Sequence, residues 1–373
     1  MKLKKVFVLA VVFLALVFGQ VIASEAGKTT VGGHVRLKLY DNPTGWSSWG
    51  APFNLTTSTK SEDYMGMGFT GAYIYLSQDI TDNFSIELVP IISASTGATP
   101  KFHSTIGAHA TAAPAVSLGI DKAVIKYRAP FDIDVTFGVM KPVFTMDYGH
   151  DMFWEEEYNG GKFICNPKLG SMHDTGIEIY KNFEIEEVSL PVYLYLLNGD
   201  DNSFKYYNDS NNQPQGLIHI EPGWGPFKLS ASFTAGRRDA KELLGMHKWS
   251  LGFLVNWMGL HVRSEFAKGK WEKSISNSRD ALTEGYYIMA SYKPLEWLRV
   301  FFHHDSVLHN FNGFFFTAPG AGERYITNTA GISIFITESS ILQFQVDVAD
   351  WRRRDDSAIL IFTRPTLGTR ITF

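Results

Sequence analysis

The sequence predicts an all-β chain, a transmembrane antiparallel β-barrel of about sixteen strands. Three observations predict it. Segment after segment alternates apolar and polar residues with the period of two that a strand needs when one face meets grease and the other water. The connections between those segments are short and long in turn. The chain also opens on an export pattern and closes on an alternating octet. Its mean hydropathy of −0.07 is that of a soluble protein, but alternating faces average out in any hydropathy window, so the value does not count against a barrel.

The N-terminus carries Lys2, Lys4 and Lys5, an unbroken apolar run over 6–18, and small residues around Ala23 and Ala26. This is the three-part secretory signal, and the run is shorter than the roughly 20 residues a spanning helix needs. The expected division is a signal peptide over 1–23 and one barrel domain over 24–373. Cleavage after Ala23 and cleavage after Ala26 both satisfy the small-residue rule. Losing the three lysines takes the formal charge from −4 to about −7, which gives no reason to expect nucleic-acid binding. The only cysteine, Cys165, leaves no intramolecular disulfide, so something other than cross-links must supply stability.

The first strand covers 29–41, where Val31, Val35, Leu37 and Leu39 are apolar and His34, Arg36 and Lys38 fall between them. A polar loop follows to about residue 61. The next strand, 64–79, turns at Thr81-Asp82-Asn83 into Phe84, Ile86 and Leu88, which alternate with Ser85 and Glu87. Short connections then recur near 129–132, 182–187, 223–226, 258–259, 293–296 and 337–340. Long polar ones fall near 97–116, 145–173, 198–214, 237–247, 272–284, 306–323 and 351–357. An even strand number with both termini on the short-turn side is the layout of outer-membrane barrels, which have short periplasmic turns and longer external loops.

Alternation is clear in Ala123, Ile125 and Tyr127 against Lys122, Lys126 and Arg128, and in Phe227, Leu229, Ala231 and Phe233 against Lys228, Ser230, Ser232 and Thr234. It returns in Leu342, Phe344, Val346 and Val348 against Gln343, Gln345 and Asp347. Trp249, Leu251, Phe253, Val255 and Trp257 form one face with an aromatic at each end, and Trp224, Trp257 and Trp297 all stand at short turns. Amphipathic rings suit the two membrane interfaces. A soluble sandwich or barrel would present polar residues outward, and could not expose this much apolar surface.

In the last octet, Leu367, Thr369, Ile371 and Phe373 face one way and Thr366, Gly368, Arg370 and Thr372 the other. With its Gly368, Ile371 and terminal Phe373, the octet resembles the C-terminal assembly signal of Gram-negative outer-membrane β-barrel proteins. Within that group the chain looks like a porin of the general diffusion type. The resemblance implies a multi-pass protein of the cell outer membrane, exported through the periplasm and inserted by the barrel-assembly machinery. It implies a homotrimer in contact with the lipid bilayer and lipopolysaccharide, passing small hydrophilic solutes and ions passively without a cofactor. It also implies a third external loop folded into the lumen. The connection over 145–172 occupies that place, and its Glu155-Glu156-Glu157-Tyr158-Asn159-Gly160-Gly161 run is similar to the acidic, aromatic, glycine motif of porin constrictions. Asp147, Asp151, Glu155, Glu156 and Glu157 are thus the expected constriction.

Opposite them, Arg36, Lys38, Lys122, Lys126, Arg128, Arg364 and Arg370 fall on lumenal positions, and closure brings the first and last strands onto one wall. Cations on the wall and acids on the loop would set up a transverse field that orients dipolar solutes. Two other functions share the architecture, a substrate-specific channel for phosphate or another oxyanion and a porin-like sheath around a redox or export partner. The GxGxxG over 66–71 lies inside a strand pattern with no helix after it, so it reads as close backbone packing and not as a dinucleotide loop. His303 and Asp305 share the lumenal face, but with no fixed third ligand they read as wet wall and not as a metal site. No Ser/His/acid set converges, so an enzyme is not expected.

Overall fold

The protein is described by a computed structural model over residues 29–42, 64–95, 115–146, 174–199, 214–237, 245–275, 279–309, 323–337, 339–353 and 358–372. Seventeen strand segments make one sheet. In chain order they are β1 (Thr29–Asn42), β2 (Tyr64–Thr81), β3 (Phe84–Ser95), β4 (Ala115–Ala129), β5 (Ile133–Met140), β6 (Asp174–Ile185), β7 (Val188–Leu197), β8 (Gln215–Ile220) and β9 (Gly223–Trp224). They continue as β10 (Phe227–Arg237), β11 (Gly245–Trp257), β12 (Leu260–Ile275), β13 (Arg279–Leu295), β14 (Leu298–His309), β15 (Glu323–Thr337), β16 (Ser340–Arg353) and β17 (Ala358–Thr372).

Successive strands pair antiparallel, and β1 pairs with both β2 and β17, so the sheet closes on itself. β8 and β9 both pair with β7 and β10, and are two halves of one stave parted at Glu221-Pro222, where the proline has no N–H to give the ladder. The barrel therefore has sixteen staves among the described residues, as the alternation predicts. Closure matters energetically because lipid offers backbone groups no partner, and a ring of strands leaves no edge unpaired.

Burial is inverted relative to a soluble protein. Leu251 is 55% exposed beside Ser250 at 1%, and Phe344 is 45% exposed beside Gln345 at 0%. On β16 the inner face is a polar column: Gln343 donates to Gln345, Gln345 to Asp347, and Thr329 of β15 also donates to Asp347. The outer face is an apolar belt, and on β12 it ends sharply. Above Leu260, Val262 and Phe266 come Lys268 and Lys270, paired outside the barrel with Glu284 (2.8 Å) and Asp280 (2.9 Å) of β13. Leu260 and Lys268 are separated by about 26 Å of strand, the scale of the ~25 Å apolar band of such barrels. Trp224, Trp257 and Trp297 are all exposed at the short-turn rim, where the sequence puts an aromatic girdle.

The short turns fall at 82–83, 130–132, 186–187, 225–226, 258–259 and 296–297. Met258 (φ 48°) and Gly259 (φ 80°) are both left-handed, the geometry that joins two antiparallel strands without splaying them. Two expected connections are shorter than the sequence suggests. The loop expected over 272–284 is largely strand, since β12 runs to Ile275 and β13 starts at Arg279, and the turn expected from 182 is preceded by strand as far as Ile185.

Gly138 of β5 is held at φ 136°, and a Cβ there would stand 2.2 Å from the Ala123 carbonyl oxygen of β4. Gly138→Ala is expected to lower stability by more than the ~1–3 kcal/mol of backbone strain alone, since it also forces β4 and β5 apart. Urea unfolding from lipid vesicles measures this; an unmoved midpoint would contradict it.

Candidate functional site

The candidate site lies in the lumen, where the chain leaves the wall after β5. That strand is eight residues long, against fourteen for β1 and eighteen for β2, and it ends just before Lys141-Pro142. Proline cannot extend the ladder, so the chain turns inward about halfway up the barrel. Lys141 is anchored on Asp121 of β4 at 2.8 Å. Val143 N–H donates to the Tyr195 hydroxyl of β7 at 3.1 Å. Phe144 packs into an apolar cluster with Val124, Met140, Tyr195, Leu197 and Leu217, drawn from β4, β5, β7 and β8.

Beyond Phe144 the segment reaches the other side. The Ser250 hydroxyl of β11 donates to the Phe144 carbonyl at 2.9 Å, and Lys248 Nζ stands 5.0 Å from the Phe144 ring centroid. Met146 N–H donates to both oxygens of Glu265 on β12, at 3.1 and 3.3 Å, and the Tyr287 hydroxyl of β13 donates to the same carboxylate at 3.3 Å. Such bonds to a charged acceptor in a buried place contribute about 1.5–3 kcal/mol each. Gly252 of β11 makes the space: a Cβ there would lie 3.0 Å from Met146 Sδ and 2.6 Å from Ser230 Oγ. Residues 141–146 thus cross part of the lumen from the fifth stave to the tenth and eleventh. The inward course expected of the third loop holds for its described beginning.

The wall around this crossing is charged in patches of opposite sign. Lys122 and Lys126 of β4 both face Glu87 of β3, at 3.1 and 2.5 Å, so one carboxylate serves two ammonium groups and the patch keeps a net positive charge. Arg128 lies at the short-turn rim and pairs with Asp134 at 3.3 Å. The expected basic wall is therefore tempered by acids that the sequence does not pair with it. On β12, Arg263 is buried on the same inner face as Glu265, with its guanidinium 5.9 Å from the Tyr287 ring centroid. His303 and Asp305 are both buried on the inner face of β14, as the alternation predicts.

Sequence reasoning missed a second patch, on β6 to β8. The inward positions of β6 are Asp174, Gly176, Glu178, Tyr180, Asn182 and Glu184, set against exposed Ile177, Ile179, Phe183 and Ile185. Thr136 donates to Glu178 at 3.2 Å. On β8, buried His219 sits between Ser232 Oγ, 2.6 Å from Nδ1, and Glu221 Oε1, 3.1 Å from Nε2, so the fold brings together a Ser/His/acid set that the sequence reading did not expect. The signal for this patch was the period of two on the even residues of β6.

Asp147, Asp151, Glu155, Glu156, Glu157, Cys165 and Phe373 lie outside the described residues, as do the side chains of Arg36, Lys38, Arg364, Arg370 and Ile371. The backbone register sets Arg36 opposite Arg370 across the closing β1–β17 pair, and Arg364 opposite Asp347. Gly368 pairs with Lys38 on one side and Gln343 on the other.

No protein-family model and no curated protein matches the chain. Solved structures do match. The outer-membrane channel DcaP of Acinetobacter baumannii superposes with a TM-score of 0.63 at 12% identity, over 94% of this chain and 99% of that one. Outer-membrane-expressed OmpT of Vibrio cholerae gives 0.60 at 9% identity, over 95% and 100%. An anion-selective porin from Comamonas acidovorans gives 0.56 at 13% identity, over 93% and 100%. The chain has the porin-like outer-membrane β-barrel fold that the alternation and the terminal octet predict.

Proposed function

We propose that the chain is a passive channel of the outer membrane, through which small hydrophilic solutes and ions diffuse, narrowed at mid-height by the segment that enters the lumen after β5. The observation that carries this reading is the pinning of residues 141–146 across the lumen, from Asp121 and Tyr195 on one side to Ser250 and Glu265 on the other. A tethered constriction inside a polar-walled, closed barrel is what a size-limited pore requires. The exported signal over 1–23, insertion by the barrel-assembly machinery, contact with lipopolysaccharide and a homotrimeric state belong to the same reading. A trimer form is recorded for OmpT of Vibrio cholerae. In this reading the chain catalyses nothing.

An oxyanion-specific channel would call for a dense ladder of unopposed Lys and Arg, and the described wall instead alternates signs, with Glu87 between Lys122 and Lys126 and Glu265 beside Arg263. Single-channel recording in planar bilayers tests the reading. Ohmic current that does not saturate with solute supports a diffusion pore, saturation at low millimolar solute supports a specific channel, and no current supports a plugged sheath.

The wall charges make a separate prediction. Glu87→Gln leaves Lys122 and Lys126 without their shared counter-charge, so the reversal potential in a KCl gradient is expected to move toward anion selectivity. An unmoved potential would show that these lysines do not face the conducting path.

A further inference from the structure

The patch on β6 to β8 has a composition that the diffusion reading does not use. Register sets Asp134, Tyr180, Tyr193 and His219 directly opposite one another across β5, β6, β7 and β8, one lumenal row four staves wide. The Tyr180 and Tyr193 rings lie 4.6 Å apart, and the His219 ring is 5.5 Å from Tyr193. Both tyrosines are only partly buried. Carboxylates surround the rings, with Glu178 and Glu184 along β6 and Glu221 beyond His219. Among the described residues no Lys or Arg shares the lumenal face of β6, β7 and β8. Cations stand at the edges, Arg128 of β4 paired with Asp134 at 3.3 Å and Lys228 of β10 opposite Gly223, while Lys181 is on the outer face, where its Nζ donates to the Phe131 carbonyl at 2.6 Å.

We propose that this face is a subsite for organic cations, solutes bearing a substituted ammonium group; the inference rests on the channel reading and names a solute class for it. Aromatic faces carry negative potential and attract a weakly hydrated cation, most of all an alkylammonium that gives up little hydration to reach them. Nearby carboxylates add charge without competing for the ring face. Around Tyr180 and Tyr193 the acceptors Glu178, Glu184 and Glu221 outnumber the cations, which stand only at the edges, and such a face suits an ammonium group and repels carboxylate or phosphate. The row lies just to the short-turn side of the crossing segment, since Tyr195, next but one to Tyr193, receives the Val143 N–H. A solute that passes the segment meets the rings next.

The test uses the folded protein in detergent with tetramethylammonium as probe, read by saturation transfer to its methyl protons, and the same protein in planar bilayers, read by block of potassium current. Tyr193→Phe and Tyr193→Leu are each first shown to be folded by heat-modifiable gel migration. The expected result is binding by the wild type, retained in Tyr193→Phe and weakened about three- to tenfold in Tyr193→Leu, with block weakened by the same factor. No transfer to the wild type, equal binding by Tyr193→Leu, or transfer to a neutral disaccharide that Tyr193→Leu alone abolishes would overturn the proposal. Ammonium binding without current would uphold the subsite and overturn the channel reading, and current without ammonium binding would do the reverse.

Discussion

Leu251→Arg is expected to cost about 2–4 kcal/mol of folding stability in a lipid bilayer, while Trp257→Arg on the same strand and face costs about 0–1 kcal/mol. Both side chains point out of the barrel and both are more than half exposed. In a soluble protein, a charge on a surface leucine would be neutral or would improve solubility. Here the surroundings are hydrocarbon at the middle of β11 and headgroup at its short-turn end, so the cost depends on depth. Urea titration of vesicle-inserted protein measures both variants. Equal, small effects would mean that the apolar belt does not meet lipid, and the reading of the outer face would fail with them.

The belt is also the part of the fold that the sequence states most openly. Along the middle of β10 and β11 the outward positions share one neighbour, lipid, so Leu229, Phe233, Leu251 and Phe253 must be apolar whatever lies elsewhere, and a period of two survives there. That signal fails where the outer face leaves the lipid. β12 and β13 continue beyond the belt, with Lys268 and Lys270 paired to Glu284 and Asp280 on the outside and Met246, Trp271 and Ala281 packed together inside, so the polar-in, apolar-out alternation is lost and the stretch reads as a loop. Residues 272–284 are misread for that reason.

The lumen was less legible because its contacts join residues that no local pattern links. Met146 and Glu265 stand 119 positions apart, and their bond depends on where a proline turns the chain and on which stave stands opposite. Glu87 meets Lys122 and Lys126 only through the β3–β4 register, which shifts between Val89 and Pro90. Alternation gives the face a side chain occupies, not its partner. The tyrosine row on β6 to β8 belongs to the same class: each member shows its face in the sequence, and only the register aligns Tyr180, Tyr193 and His219.

Glu265 is where the crossing segment is most exposed to a single change. Glu265→Ala removes the acceptor of both Met146 N–H and the Tyr287 hydroxyl, and a buried donor left unpaired costs about 1–3 kcal/mol. The wall does not need this carboxylate for its own ladder, since β11, β12 and β13 stay paired through backbone groups. The segment is therefore the part that gives way, and the expected result is a higher single-channel conductance with larger open-channel noise and an unfolding midpoint lowered by the loss of these bonds. Glu265→Gln keeps an acceptor at the same place but deletes the charge beside Arg263. Both variants are expected to shift selectivity toward anions, and only Glu265→Ala to raise conductance. If the two behaved alike in conductance, charge and not the tether would control the current. If neither changed it, the segment would be held by Tyr195 and Ser250 without help from Glu265, and its far anchor would be Ser250 alone.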